Sequence, residues 1–321
     1  MNECNLSFSD FSDIYISDMD MRLKKTTMHT KRRIFARFIL PSFGRKRLSQ
    51  VSAKDVREWQ NDLLKTDLSP AYLRLIDSEL IGIFSYAVRF YDLPGNPCTK
   101  AGPICNKPPK NMKFWTIEEY RTFIKGLECY PDAHLAFQIL FFTGMRCGEL
   151  LALTPADIDL SRGIIRINKT YTRQDGLDII TSPKTRKSIR EVTIPGFLGN
   201  EIASFLTEFH TRDAEVKPPL SGNVPAGEAK LSFDKQRLFP HTKYFLAYYM
   251  RLSCRKTGVK VIRLHDLRHS HASYLIDKGV QIGIISERLG HEKVSTTLDT
   301  YGHLYPSRQE ELAKQMDEWE G

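Results

Sequence analysis

Two arginines, a tyrosine and a lysine in this 321-residue sequence are suited to chemistry on a phosphodiester. Arg146 and Arg268 each lie in a short segment with a helical context. A guanidinium keeps its charge, and its planar fork matches two phosphate oxygens, so a pair of arginines can hold a phosphodiester. Tyr301 supplies a hydroxyl near the C-terminus. Lys184 lies on a predicted hairpin, from which it could reach the same phosphate.

Attack by a tyrosine on phosphorus has three chemical requirements. The phenol, whose ordinary pKa is about 10, must lose its proton. The charge that develops on the phosphate must be neutralised, and the leaving 5′-oxygen must gain a proton. His265, the arginine pair and Lys184 could fill these roles without a metal ion. The product would be a covalent phosphotyrosine, which keeps the bond energy for rejoining.

Each of these residues is a weak signal when it is taken alone. An isolated arginine is usually a surface or ion-pair residue, and an exposed hairpin lysine such as Lys184 is usually solvated. Arg186 and Lys187 are its neighbours, and Tyr305 is an alternative to Tyr301 as the nucleophile. The hypothesis therefore depends on the joint occurrence of these residues in a fixed order.

A metal site is the alternative interpretation of the histidine-rich segment. His265 and His269 are four residues apart, as in the H-E-x-x-H helix of metalloproteases. Asp266 stands in place of the glutamate, and Arg268 shares nearly the same helix face as His265, where its charge would oppose a cation. We therefore expect neither a metal ion nor another cofactor.

The elements that must position these residues are predicted to be mainly α-helical, with a small antiparallel β-sheet. Apolar residues at helical spacing predict a helical bundle over residues 1–93. Ser52 and Ser69-Pro70 are expected to begin helices, and Pro41 with Phe43-Gly44 is expected to end one. Residues 94–113 are rich in proline, glycine and lysine, and we interpret them as a linker that holds no helix and packs no core.

A second domain is predicted over residues 114–306, followed by a tail helix over 307–321. Thr116 and Glu119 form a capping-box pattern at its first helix. Residues 164–167 and 190–194 are predicted strands of the sheet, and Ser295 is expected to cap the helix that carries Tyr301.

The charge of the chain favours a polyanionic partner. The formal net charge is +9, and basic residues concentrate between residues 22 and 57, where there is one acidic residue. We expect DNA contacts from this region and from lysines of the linker. The expected DNA-binding residues are Lys31, Arg32, Arg33, Arg45, Lys46, Arg47, Lys107 and Lys110.

Other classes of protein are disfavoured by the composition. The six cysteines are scattered without a C-x-x-C pair, which argues against a zinc ribbon and a disulfide framework. No apolar run reaches membrane-spanning length, and the N-terminus has no secretory apolar segment. We expect no membrane partner and a cytoplasmic location.

The sequence resembles the tyrosine recombinase, or phage integrase, family. The resemblance rests on residues 143–150 (T-G-M-R-C-G-E-L), Lys184-Thr185, residues 265–269 (H-D-L-R-H), residues 289–291 (L-G-H) and Tyr301, in this order and spacing. It extends from about residue 8 to residue 306. It is strongest towards integrases of conjugative transposons and prophages of Gram-positive bacteria. Many of these integrases also have an N-terminal arm-binding domain of small strands, whereas this sequence begins at the core-binding helices.

The resemblance implies a role for each residue of the motifs. Arg146 and Arg268 would bind the phosphate and Tyr301 would be the nucleophile. Lys184 would be the general acid, and Glu149 would support the first arginine. The histidines His265 and His291 would be proton-transfer and hydrogen-bonding partners.

The resemblance also implies the architecture and the partners. It implies a C-shaped clamp in which a helical core-binding domain and an α+β catalytic domain enclose DNA. Double-stranded DNA attachment sites would be the substrate, with four protomers on two duplexes and a Holliday junction between two strand exchanges. Accessory excision or bending proteins are further candidate partners. The tail would pack in cis or against a neighbouring protomer, and the protein would associate with the bacterial nucleoid.

Two other functions share parts of the same evidence. A type IB topoisomerase-like nicking-closing enzyme would use the same chemistry without synapsis of two sites. A DNA-binding regulator without catalysis would use only the basic N-terminal helices, and its DNA binding would not depend on Tyr301.

Overall fold

The computed structural model divides the chain into two compact units. They are Met1–Asn111, here the N-terminal unit, and Met112–Gly321, here the C-terminal unit. The structure describes residues 6–106, 112–174, 176–183, 185–215, 236–302 and 316, without the side chains of 186 and 209–215. The predicted tail helix therefore lies outside the described residues except at Met316. Three predicted site residues, Lys107, Lys110 and Lys184, also lie outside the described residues.

The N-terminal unit is a helical bundle around an aromatic core. Phe8, Phe43 and Phe84 are all buried, and the ring of Phe8 contacts the other two rings. The helices are α1 (Phe8–Arg22), α2 (Lys25–Ile34), α3 (Leu40–Phe43), α4 (Ala53–Leu64), α5 (Pro70–Phe90) and α6 (Pro97–Ala101).

The predicted starts of α4 and α5 are confirmed. Ser52 caps α4 in a capping box with Asp55, and the Ser69 hydroxyl caps α5 ahead of Pro70. The expected end of the second helix is confirmed at Phe43-Gly44 and not at Pro41, because a π-helical turn at Phe35–Ile39 leads from α2 into α3, which ends at Phe43. Pro41 occupies the first turn of α3, where its missing N–H leaves no helical hydrogen bond unmade.

The first half of the predicted linker is part of the N-terminal core. Asn96 caps α6, and Cys98, Ala101 and Ile104 are buried in the same cluster as Phe8. The prediction that residues 94–113 hold no helix and pack no core is therefore wrong for residues 97–104. Its composition was misleading because proline is well tolerated in the first turn of a helix.

The C-terminal unit combines helices with two small antiparallel sheets. Its helices are α7 (Ile117–Lys125), α8 (Pro131–Thr143), α9 (Cys147–Leu150), α10 (Gly196–Glu215), α11 (Lys243–Thr257), α12 (Asp266–Asp277), α13 (Ile282–Leu289) and α14 (Val294–Tyr301). The predicted capping box of Thr116 and Glu119 begins α7. α8 is buried on almost all sides and forms the centre of the core.

The strands form two sheets rather than the single sheet that we predict. β1 (Ile158–Asp159), β2 (Ile164–Ile167) and β5 (Arg190–Thr193) form one sheet in the order β1-β2-β5. β3 (Thr170–Gln174) and β4 (Leu177–Thr181) form a separate hairpin. In the first sheet Ile165 pairs with Val192, and both side chains are buried.

α14 packs on a small core of its own. This core contains Ala272, Ile276, Ile285, Leu289 and Tyr301. The expected cap at Ser295 is wrong, because α14 begins at Val294 after Lys293 and has no side-chain cap. Packing of the Tyr301 ring therefore contributes to holding this helix in place. Among the described residues, no helix is long and apolar enough to cross a membrane.

Candidate active site

A glycine and a short helix position Arg146. Gly144 ends α8 with a left-handed φ of 66°, and Arg146 immediately precedes α9. The Arg146 backbone N–H donates to Glu149 Oε2 at 2.9 Å, and its Nη1 donates to Glu149 Oε1 at 2.8 Å. Glu149 is therefore both the cap of the helix and the anchor of the arginine.

Glu149 is shared with a second arginine, which sequence reasoning missed. The carboxylate is 3% exposed, and Arg190 Nη2 on β5 donates to its Oε2 at 3.0 Å. Arg190 also donates from Nε to the carbonyl of Arg288 at 2.8 Å. The charge of Arg190, followed by that of Arg146, lowers the pKa of Glu149 against the effect of burial. Nothing in the local sequence distinguishes Arg190 from other sheet arginines.

Arg268 is held by neutral groups instead of a carboxylate. It is 3% exposed, and it donates to the carbonyls of Gly144 at 2.9 Å and Leu289 at 2.6 Å. Burial, then the charges of Arg146 and Arg190, lower the pKa of Arg268. Arg146 and Arg190 share the single carboxylate of Glu149, and Arg268 lies close enough for their charges to act on it. This network of three guanidinium groups and one carboxylate has an excess of positive charge that an anion can neutralise.

The two predicted histidines belong to the same electrostatic cluster. His265 precedes α12, and part of its surface is exposed. Partial desolvation of its ring, and then the charges of Arg268 and Arg146, lower its pKa. His291 Nδ1 lies 2.7 Å from Thr297 Oγ1. Burial, then Arg268 and Arg146, lower the pKa of His291 to about 4. Both rings are therefore neutral hydrogen-bonding groups near pH 7.

Tyr301 lies inside the unit and contacts a histidine that we did not assign to the site. Its ring is 1% exposed, and its Oη lies 2.7 Å from His269 Nδ1. Burial raises the pKa of Tyr301 to about 12, and Arg268 acts in the opposite direction. The spacing of His265 and His269 had drawn attention to this segment, but only as a metal pair.

A cavity of about 540 Å³ opens beside the arginine network. Arg146, Glu149 and His291 line it. Pro183 and Thr185 also line it, so the chain on both sides of Lys184 reaches the cavity. The guanidinium of Arg146, the imidazole of His291 and the hydroxyl groups of the lining are donors that a phosphate group can accept from.

The structure contradicts one of the expected DNA contacts. Lys31 is buried, and its ammonium contacts the Tyr15 hydroxyl at 3.1 Å and the Glu79 carboxylate. The sequence does not predict this burial, because Lys31 lies on the same helical turn as exposed arginines and its partner Glu79 is distant in sequence. The prediction that Lys31 binds DNA is therefore wrong.

The other described residues among the expected DNA contacts are exposed. Arg33, Arg45 and Arg47 lie on the surface. Arg32 is 3.2 Å from Asp20, and Lys46 is 2.6 Å from Asp55. Exposed ion pairs of this kind are weak, so these two cations stay available to a phosphate.

The histidine pair of the metal hypothesis makes a different contact. The rings of His265 and His269 meet edge to face at 5.2 Å. Over the described part of the chain, no group of three or more His, Cys, Asp or Glu side chains could hold a metal ion.

Comparison with known proteins follows the same division of the chain. Residues 115–308 match the phage integrase family, and residues 7–64 match its N-terminal SAM-like domain. The chain belongs to the phage integrase family. The first match covers the arginine network and Tyr301, so this tyrosine recombinase carries its candidate site in the C-terminal unit.

Relatives with assigned names cover almost the whole chain. The ICEBs1 integrase of Bacillus subtilis (strain 168) is 32% identical over 98% of this chain and 83% of its own length. A XerC-like tyrosine recombinase of Caldanaerobacter subterraneus subsp. tengcongensis is 26% identical over 86% of this chain and 73% of its own.

Solved structures show the same fold. The Tn1549 transposon integrase in complex with a circular intermediate DNA has a TM-score of 0.73 at 18% identity, over 97% of this chain and 99% of that chain. A lambda integrase dimer bound to a COC′ core site has a TM-score of 0.64 at 17% identity, over 96% of this chain and 80% of that chain.

Proposed function

We propose that this recombinase integrates and excises a mobile DNA element. It would cut and rejoin DNA strands through a covalent 3′-phosphotyrosine, with a Holliday junction between two rounds of exchange. The observation that carries the proposal is the arginine network, in which Arg146 and Arg190 share the carboxylate of Glu149 and the charge of the buried Arg268 acts on Tyr301. A phosphodiester brings one negative charge, and the transition state of attack gathers more on its equatorial oxygens.

The proposed roles follow from the contacts of each residue. Arg146, which lines the cavity, and the buried Arg268 would bind the non-bridging oxygens. Glu149 would fix Arg146 at the cavity wall. His291, whose Nδ1 is engaged by Thr297, would present Nε2 to the phosphate.

Proton transfer is divided between two further groups in this proposal. Lys184 would protonate the leaving 5′-oxygen, since its neighbours Pro183 and Thr185 line the cavity. His265 is exposed beside Arg268, so it would exchange protons between the site and solvent. The reaction conserves the phosphate bond energy in the phosphotyrosine.

DNA binding and assembly complete the proposal. The exposed cations Arg33, Arg45 and Arg47, with Lys107 and Lys110, would contact the phosphate backbone of double-stranded attachment sites. Solved relatives include a lambda integrase tetramer bound to a Holliday junction. By analogy we propose a homotetramer on two duplexes and a C-terminal tail that packs in cis or in trans. Excision or bending proteins would assist at the bacterial nucleoid.

The deciding experiment compares the wild type with Tyr301→Phe on nicked duplexes tiled across the DNA that flanks the gene. Cleavage close to the nick releases a short fragment that carries the free 5′-hydroxyl. Because this fragment diffuses away, rejoining cannot occur and the covalent adduct is trapped. Denaturing gels should show an adduct for the wild type and none for Tyr301→Phe, although both should retain the duplex. If Tyr301→Phe still formed an adduct, peptide mapping would identify another residue as the nucleophile. Relaxation of supercoils without joining of two sites would favour a nicking-closing enzyme.

A further inference from the structure

The phenol of Tyr301 has one hydrogen-bond partner among the described residues, the imidazole of His269. The Oη to Nδ1 distance is 2.7 Å, and the two rings meet edge to face with centroids 5.5 Å apart. His265, the histidine first expected to act on the phenol, instead contacts the ring of His269 with its own ring at 5.2 Å. The group that touches the reacting oxygen is therefore His269.

The direction of this hydrogen bond follows from the charge states of the two groups. Burial, then the neighbouring His265, lower the pKa of His269 to about 4. Arg263 and Arg268 act in the same direction, and Asp266 opposes them. The imidazole is therefore neutral near pH 7, while the phenol of Tyr301 keeps its proton. The phenol donates, His269 Nδ1 accepts, and the imidazole proton resides on Nε2.

We propose that His269 is a catalytic residue, the general base that takes the phenolic proton as Tyr301 attacks. This inference rests on the proposed strand-cleavage function. As the bond between Oη and phosphorus forms, the proton moves from Oη to Nδ1, and the bond from phosphorus to the 5′-oxygen breaks. The 5′-oxygen takes its proton from the general acid. During rejoining the 5′-hydroxyl attacks phosphorus and gives its proton back to the deprotonated general acid. The bond from phosphorus to Oη breaks, and the imidazolium of His269 returns its proton to Oη.

The environment of His269 makes this transfer depend on bound DNA. Without an anion, burial, the neighbouring His265 and then the charges of Arg263 and Arg268 disfavour an imidazolium, so the proton stays on the phenol. A phosphodiester held by Arg146 and Arg268 brings negative charge that offsets them, and this raises the affinity of the imidazole for a proton. The nucleophile is thereby activated where a phosphate is present, which disfavours idle reaction of a free phenolate.

The test uses the full-length chain and the nicked duplex that gives the fastest adduct. His269→Asn places an amide oxygen near the position of Nδ1, so it keeps a hydrogen-bond acceptor that cannot take a proton. We expect cleavage to fall about 10²- to 10⁴-fold, the range for a lost general base. DNA retention and circular dichroism should stay unchanged. His241→Asn, at a histidine that contacts Asp132 elsewhere in the unit, is the matched control and should cleave like the wild type.

Two further readouts separate a base from a structural residue. The rate of His269→Asn should rise up to tenfold per pH unit between pH 7 and pH 9, since hydroxide must then remove the proton, whereas the wild-type rate should stay flat. A 5′-bridging phosphorothiolate, whose thiolate leaves without protonation, should rescue Lys184→Ala and should not rescue His269→Asn.

Three results would overturn the inference. Cleavage by His269→Asn at the wild-type rate would show that another group takes the proton. Rescue of this variant by the phosphorothiolate would make His269 part of the acid side. Faster cleavage by His269→Ala would make the contact a restraint on Tyr301. If the wild type formed no adduct on any duplex, the proposed function itself would be overturned. Failure of the proposed function and failure of the role of His269 are therefore distinguishable.

Discussion

The two units each bury a cation, and they treat it in opposite ways. In the N-terminal unit the ammonium of Lys31 contacts the carboxylate of Glu79, so its charge is neutralised within the fold. In the C-terminal unit the buried guanidinium of Arg268 has two carbonyl partners and two like-charged neighbours, Arg146 and Arg190. We call a buried cation matched when a carboxylate contacts it and unmatched when only neutral groups do. A matched cation has its charge neutralised within the fold, whereas an unmatched cation is available to an external anion.

This difference explains why basic residues alone were a poor guide to DNA contacts. Lys31 and Arg33 are close in sequence, yet one is buried against an acid and the other is exposed. Sequence shows the sign of a charge but not its partner from a distant helix.

The largest effect is expected from removing the unmatched cation. Arg268→Gln should lower the cleavage rate about 10²- to 10³-fold, as the loss of a charge-stabilising donor does in other active sites. Unfolding free energy should change by no more than about 2 kcal/mol, because relief of a buried charge offsets the two carbonyls that lose a donor. Single-turnover adduct formation and denaturant unfolding measure the two quantities.

A nearby arginine provides the control for this variant. Arg263 is 74% exposed and pairs with Asp266 at 2.8 Å. Arg263→Gln should cleave within a few-fold of the wild type at saturating DNA. If Arg268→Gln cleaves as well as Arg263→Gln, the unmatched charge has no part in the reaction.

The reverse pattern is expected for the matched cation. Lys31→Met strands the Glu79 carboxylate inside the N-terminal unit, and the free energy of unfolding of this unit should fall by about 3 kcal/mol. Cleavage per folded molecule should remain at the wild-type level. The double variant Lys31→Met with Glu79→Gln should recover much of the loss, as measured by urea unfolding; no recovery would mean that the pair is not the cause.

Acid should distinguish the two units as well. The folded-state pKa values of His269 and His291 are lowered to about 4, and that of His271 to about 3, from an ordinary value of 6.5. Below pH 6.5 the unfolded chain binds protons that the folded chain refuses, so stability falls as the pH falls towards 4. Each histidine should contribute roughly 1–2 kcal/mol of loss between pH 7 and pH 5.

Hydrogen exchange measured by mass spectrometry can locate this loss. Amides of α12 and α13 should lose protection between pH 7 and pH 5, after correction for intrinsic exchange rates. Amides of α4 and α5 in the N-terminal unit should change less. An equal loss in both units would contradict the assignment of the effect to the histidines beside the arginine network.

The smallest effect concerns the exposed cations. Arg47→Ala should weaken DNA binding a few-fold and reduce the slope of log affinity against log salt concentration by about 0.9, the value for one phosphate contact. Lys31→Met should leave that slope unchanged, because its ammonium is already engaged. Fluorescence anisotropy on one duplex over a series of salt concentrations measures both, and equal slopes for the wild type and Arg47→Ala would remove Arg47 from the interface.

The sequence predicted local structure better than it predicted contacts. Serine and threonine caps at Ser52, Ser69 and Thr116 follow from neighbouring residues, and the structure contains all three. The order of the motif residues gave the family. The helix at Pro97–Ala101 and the burial of Lys31 depend on distant helices, which no local pattern contains.

The same limit applies to the candidate site. The family resemblance implies that Glu149 supports Arg146, and the two side chains lie 2.8 Å apart. Arg190 and His269 were missed as partners, because one reaches Glu149 from a sheet and the other meets Tyr301 only where α14 packs on α12.

Gly144 connects the two halves of the arginine network without contributing a functional group. Its left-handed turn presents its carbonyl to Arg268 and leads the chain within two residues to Arg146. A Cβ at this position would lie 2.4 Å from Cδ2 of the buried His271 ring. A random mutagenesis screen for recombination-deficient alleles should therefore recover changes at codon 144 alongside those at the nucleophile, although glycine performs no chemistry.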